Sequence, residues 1–219
     1  KSQRKEKPFQ SIEKPDMERI RTYFDRSTPQ ILQQEVWFNI MLHFGLRGRE
    51  TFSQLSRDSI SFDSDSDGHR YAYLCHSFLS KNVRSSLSQK EFSDNKNCRM
   101  YEDRSEQSRC PVKALESYFS KMEADTKTLF PQPKTLNATQ IWYCQSKKLG
   151  LNQLGKMMKQ ISEQANLSKL YTNHCVRVTV VSELHNQGFS ANEISNVTGE
   201  CATVHSSTYI YHTSVYLMR

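Results

Sequence analysis

The segment between Ser27-Thr28-Pro29 and Gly45 sets the frame for the rest of the chain. Proline fits the first turn of a helix, where its missing N–H has no partner to lose, and glycine is a common stop. Between them Ile31, Val36, Trp37, Ile40, Met41 and Phe44 recur at helical spacing. A helix with so large an apolar face must bury it against other elements. The pattern supplies several. Lys14-Pro15-Asp16 opens an earlier helix with Met17, Ile20, Tyr23 and Phe24 on one face. A short helix after Gly45 carries Phe52 and Leu55. Pro111 opens another with Val112, Ala114, Leu115, Tyr118 and Phe119 inward. Further helices are expected from Leu151 to Ala165, from His174 to Asn186 with Gly188 as its stop, from Ser190 to Val197, and in the tail from His205.

Residues 58–103 break the helical period. Ser59 to Phe62, Tyr71 to Leu79 and Cys98 to Glu102 read as strands. Asp63 to Gly68 is a turn, and Ser80 to Asn97 a polar hairpin loop. The acidic run lacks the glutamate that a calcium loop places past its glycine. Residues 123–140 read as irregular. The expected fold class is mainly α with a small three-stranded antiparallel sheet (α+β). One domain over 12–219 follows a basic linker at 1–11.

The chain has 219 residues, with 30 Lys plus Arg against 23 Asp plus Glu, a formal charge of +7. That balance suits a polyanionic partner. No apolar run approaches the ~18 residues of a membrane span, so no membrane partner is expected. The six cysteines, Cys75, Cys98, Cys110, Cys144, Cys175 and Cys201, include no CxxC pair and no zinc-finger spacing. They read as reduced thiols of a nuclear or cytosolic protein. No metal or small-molecule cofactor is expected.

Four features recur in an order that matters: Gly45-Leu46-Arg47-Gly48-Arg49-Glu50 after the apolar helix, Lys81 in the hairpin loop, His174-Cys175-Val176-Arg177 at a helix start, and Tyr209, 32 residues after Arg177. Two arginines can grip one phosphate through planar, bidentate donors. Fixed cations stabilise the charge a phosphodiester gains under attack. A tyrosine hydroxyl helped to ionise is a competent nucleophile, and a lysine can protonate a departing oxygen. Each feature alone is ordinary surface or packing chemistry, and only the ordered set is specific.

That order, Arg, Lys, HxxR, Tyr, resembles the tyrosine recombinase and integrase family. GLRxxE at 45–50 is similar to the family's first-arginine motif, with Leu55 and Asp58-Ser59-Ile60 in matching positions. Residues 174–209 resemble its HxxR…G…Y block without a gap: Gly188 matches the glycine ending the HxxR helix, and Tyr209 falls on the nucleophile. The words FGLRGRE, MYED…CPVKALESYFSK and YTNHCVRVT resemble the Crypton branch, and the recombinase-derived domains of vertebrate nuclear proteins, including relatives of the MYM-type zinc-finger proteins.

The resemblance implies a catalytic-domain fold, a double-stranded DNA partner, self-association on DNA and a nuclear location. It implies DNA strand cleavage and rejoining through a 3′-phosphotyrosyl intermediate, in recombination or integration of a Crypton-type mobile element. Arg47 and Arg177 would clamp the scissile phosphate, His174 would carry a proton or donate to phosphate, and Lys81 would be the general acid, with Lys90 and Lys96 as alternatives. Arg49 is the alternative to Arg47, and Tyr211 to Tyr209. Glu50 would orient an arginine or cap its helix. Glu200 stands where the family has His or Trp, and an ionised carboxylate can only accept and repels phosphate. A domesticated, catalytically inactive DNA- or chromatin-binding domain is therefore the alternative. The family's N-terminal clamp domain has no room in residues 1–15, so the expectation is either a piece of a longer protein or a domain that does not assemble alone.

Overall fold

Two prolines begin the first two helices. The computed structural model describes residues 10–46, 48–75, 98–135 and 140–198. Helix α1, Lys14–Tyr23, has Pro15 in its first turn and buries Ile20. Helix α2, Pro29–Phe44, starts at Thr28, whose hydroxyl accepts the Ile31 N–H at 3.2 Å. It ends at Gly45, which adopts the left-handed conformation (φ 57°) that a helix stop favours.

The apolar stripe expected on one face of α2 proves too narrow a description. Every residue of this helix except Gln30 and Ile31 is buried, including Gln33, Gln34, Glu35, Asn39 and His43. It is a central rod with other elements on all sides. Its buried polar groups are mostly answered by those neighbours. Gln33 Nε2 donates to Tyr118 Oη at 2.9 Å and to the Pro131 carbonyl at 2.7 Å. Glu35 takes a two-pronged ion pair from Arg26 at 2.9 and 2.8 Å. Burial nevertheless pushes the Glu35 carboxyl pKa up, against the pull of Arg26.

Helix α3, Gly48–Gln54, and a 3-10 turn, Arg57–Ser59, lead into the sheet. Strands β1 (Ile60–Ser64), β2 (Arg70–Leu74) and β3 (Arg99–Tyr101) lie in that order and are antiparallel throughout. The register sets Ile60 opposite Leu74 and Ala72 opposite Met100. The β1–β2 turn is shaped by Asp65, whose carboxylate accepts the N–H groups of Asp67 and His69. The second strand ends at Leu74, with Cys75 beyond it; residues 76–79 of its expected span, and the loop with Lys81, Lys90 and Lys96, lie outside the described residues.

Helix α4, Pro111–Ser120, buries the five apolar residues expected of it. The stretch read as irregular then contains a strand, β4 (Pro131–Pro133), paired antiparallel with β5 (Tyr143–Lys148). Two prolines in three residues hide it, because proline supplies no N–H to a ladder and is tolerated only at an edge. The Tyr143 hydroxyl pins this hairpin to the Pro29 carbonyl at 2.7 Å.

The helix expected from Leu151 to Ala165 is two: α5, Leu151–Gly155, and α6, Met157–Gln164, with Lys156 at the break. Helix α7, Asn173–Asn186, follows, ending in a Schellman motif. The Gly188 N–H donates to the His185 carbonyl at 3.0 Å and the Phe189 N–H to that of Leu184 at 3.1 Å. Helix α8, Ala191–Thr198, opens with a capping box between Ser190 and Glu193. Helices α4, α6 and α7 and strand β3 all touch α2, and one apolar core runs through them.

Candidate functional site

The two halves of the sequence pattern meet at the carboxyl end of α2. Gly45 turns the chain there, which leaves the last carbonyls of the helix without intrahelical donors. Arg177, on the second turn of α7, reaches across and donates from Nη1 to the Gly45 carbonyl at 3.0 Å. A cation at that end also complements the helix dipole. Arg177 is only 7% exposed. Arginine is rarely buried unless its donors are engaged, so its position is fixed rather than casual. Gly45 lies two residues before Arg47, so the contact sets the HxxR helix beside the first-arginine segment.

His174 lies three residues before Arg177, exposed on the first turn of α7. Arg47, Lys81, Glu200 and Tyr209, with the alternative Tyr211, lie outside the described residues. Of the glycine-arginine segment, Arg49 and Glu50 are described: Arg49 Nε donates to Glu50 Oε1 at 3.1 Å. The Glu50 carboxyl is held below its usual pKa by its own backbone N–H and by Arg49. Glu50 thus pairs with its neighbour Arg49 at the surface. The Arg49 stem in turn crosses Gly155, where an added Cβ would stand 3.3 Å from Arg49 Cδ.

Three groups near the site escaped sequence reasoning. Asn173, immediately before His174, donates from Nδ2 to the Leu154 carbonyl at 2.8 Å and accepts the Met158 N–H at 3.0 Å. Asp16 is buried and ties the chain ahead of α7 to α1. Its carboxylate accepts the Ser168 N–H at 3.0 Å and the Tyr171 hydroxyl at 2.9 Å. Burial alone would raise its pKa, but the hydrogen bonds from Ser168, Tyr171 and Arg19 outweigh it and hold the carboxyl low. His43, two residues before Gly45, is buried with neither ring nitrogen partnered among the described residues. Burial drives its pKa down to about 4, so the ring is neutral. No sequence signal marks these three. A lone Asp in a first turn reads as a helix-dipole partner, and a lone His or Asn as surface.

A cleft of about 470 Å³ opens at the other end of α2, lined by Gln30, Gln33, Gln34, Gln153 and Gln160 among others. Its lining on α2 ends at Gln34, roughly 16 Å along the helix from Gly45, and Gln153 and Met157 carry it to the α5–α6 break. Among the described residues no three His, Cys, Asp or Glu side chains converge as metal ligands. Among the described residues Cys75, Cys98, Cys110, Cys144 and Cys175 form no disulfide with one another. No helix among the described residues is long and apolar enough to cross a membrane.

A sequence model of a family described as a domain of unknown function, DUF3504, matches residues 19–163. The chain belongs to the DUF3504 family. The matched part of this DUF3504 chain takes in the second half of α1, the glycine-arginine segment and both sheets, and ends within α6, before the HxxR helix. A solved structure described as XerA recombinase is similar to it at 14% sequence identity with a TM-score of 0.49, over 94% of this chain and 59% of that one. The DUF3504 chain thus spans about three fifths of the length of that recombinase. No curated protein matches it.

Proposed function

We propose that this chain is a DNA-binding tyrosine recombinase catalytic domain of the Crypton type, acting in the nucleus on double-stranded DNA and self-associating there. The observation that carries the reading is the Arg177–Gly45 hydrogen bond. It sets two segments 132 residues apart side by side, and they are the two that the recombinase pattern requires to share one phosphate.

In the proposed reaction the Tyr209 oxygen attacks the scissile phosphorus. A new P–O bond joins tyrosine to the 3′ phosphate as the bond to the 5′ oxygen breaks. His174 takes the tyrosine proton, and Lys81 gives one to the departing 5′ oxygen. Arg47 and Arg177 stabilise the charge on the non-bridging oxygens. Rejoining is the same path reversed, with a 5′ hydroxyl as nucleophile.

Glu200 favours a second reading, a domesticated domain that binds DNA without cutting it. An acceptor-only side chain in place of a donor lowers such rates on the order of 100- to 1,000-fold. Covalent capture separates the two. The chain is incubated with nicked or half-site duplex DNA and probed for a denaturation-resistant adduct, with Tyr209→Phe alongside. An adduct lost in the Phe variant supports cleavage. Salt-sensitive binding by both proteins with no adduct supports the binding module. Absence of salt-sensitive binding overturns both.

A further inference from the structure

The break between α5 and α6 touches both arginine-bearing segments. In a continuous helix the Met158 N–H would donate to the Leu154 carbonyl, four residues back. The Asn173 carboxamide stands between them instead. Its Nδ2 donates to Leu154 at 2.8 Å and its Oδ1 accepts from Met158 at 3.0 Å. Inserting a side chain into the ladder opens the helix while leaving both backbone groups satisfied. Asparagine suits the task because its short amide carries a donor and an acceptor together.

The wedge belongs to the first turn of α7. Asn173 and Arg177 are four residues apart and so share a face of that helix. One is anchored in the α5–α6 break and the other on Gly45. Two anchors on one face fix both the height and the rotation of α7. Gly155, inside the same break, lies against the stem of Arg49. The break therefore touches the glycine-arginine helix through Gly155 and the HxxR helix through Asn173.

We propose that Asn173 is a positioning residue: by wedging open the α5–α6 helix it sets His174 and Arg177 at a fixed place against the glycine-arginine segment. The inference rests on the reading of Arg177 and His174 as phosphate-contacting groups.

The test uses the whole chain with Asn173→Ala and Asn173→Asp. In the Ala variant Met158 and Leu154 are free to bond each other, so the thermal midpoint is expected to stay near that of the parent. The Asp variant keeps the acceptor for Met158 and loses the donor for Leu154. In ¹⁵N-resolved NMR spectra, the Gly45 amide and Arg177 side-chain Nε–H resonances are expected to shift together in both variants, with the Val36 amide as an unmoved reference. Adduct formation on half-site DNA is expected to slow by about 10- to 100-fold at unchanged DNA affinity. Gly45 and Arg177 resonances that coincide with those of the parent overturn the proposal. So does a fall in adduct rate that merely follows a fall in DNA affinity and thermal midpoint. A parent chain that forms no adduct removes the strand-cleavage reading alone, and the resonance shifts still decide the positioning role.

Discussion

Arg177 caps the carboxyl end of α2 by donating to the Gly45 carbonyl at 3.0 Å. The contact is buried, so its loss leaves a carbonyl without that donor and α7 without one of its two anchors. Arg177→Met retains much of the apolar stem and removes the guanidinium. Unfolding in urea is expected to show a loss of about 1–3 kcal/mol. If the same guanidinium meets DNA phosphate, the salt slope of binding is also expected to fall by about one. A variant with the stability and salt slope of the parent would refute both assignments.

His43 gives the protein a pH dependence of its own. Its imidazole has a pKa of about 4 in the fold against ~6.5 in the unfolded chain. Between those values the unfolded state holds the extra proton, so stability falls as pH drops through that window. The full effect is on the order of 3 kcal/mol, at about 1.4 kcal/mol per pKa unit. Subtracting the profile of His43→Leu from that of the parent isolates this term from other titrating groups. The difference is expected to be flat above pH ~7 and to grow against the parent toward pH ~4. Parallel profiles would show that the ring finds a partner or solvent.

Periodicity and punctuation made the outline legible from the chain alone. Pro15, Pro29 and Pro111 marked helix starts, Gly45 and Gly188 marked ends, and the loss of the helical period over 58–103 marked the three-stranded sheet. What stayed hidden has a common physical origin: long-range polar contacts override local pattern. The break at Lys156 comes from Asn173, and within residues 151–165 only Gly155, a poor helix former, hints at it. The burial of Gln33, Gln34 and Glu35 depends on partners as distant as Tyr118 and Gln164, so α2 read as one-sided when it is enclosed. Strand β4 was masked by its prolines. For the site, sequence order proposed that Arg177 and the GLR segment meet, and spacing alone could not have supplied the atom, the Gly45 carbonyl, on which they do.

Asp16 is expected to govern the acid side of stability. Its hydrogen bonds to Ser168, Tyr171 and Arg19 hold the folded carboxyl below its usual pKa despite burial. A depressed carboxylate pKa contributes stability that is fully present above the unfolded value of ~3.9 and is lost as pH falls through the folded value. Asp16→Asn is expected to destabilise the protein at pH 7 and to flatten the profile below pH ~4. Urea titrations at pH 7 and at pH 3 decide it. An unchanged gap between parent and variant at the two values would show that the carboxylate charge is not what the latch uses.

Gly188 separates conformational strain from steric conflict. Its φ of 88° lies in the region that residues with a Cβ avoid, yet an added Cβ would meet no atom of the described residues within 4 Å. Any penalty in Gly188→Ala is therefore backbone strain, expected at about 1 kcal/mol. Asn tolerates left-handed backbone better than Ala, so Gly188→Asn is expected to lose less. The strain falls on the Schellman motif that ends α7 three turns beyond Arg177. If the two anchors at Asn173 and Arg177 fix that helix, DNA affinity is expected to survive both substitutions while the unfolding midpoint drops in the order Gly, Asn, Ala. Ala as stable as Gly would mean that the chain relaxes out of the left-handed turn at no cost, and that the motif does not hold the end of the HxxR helix.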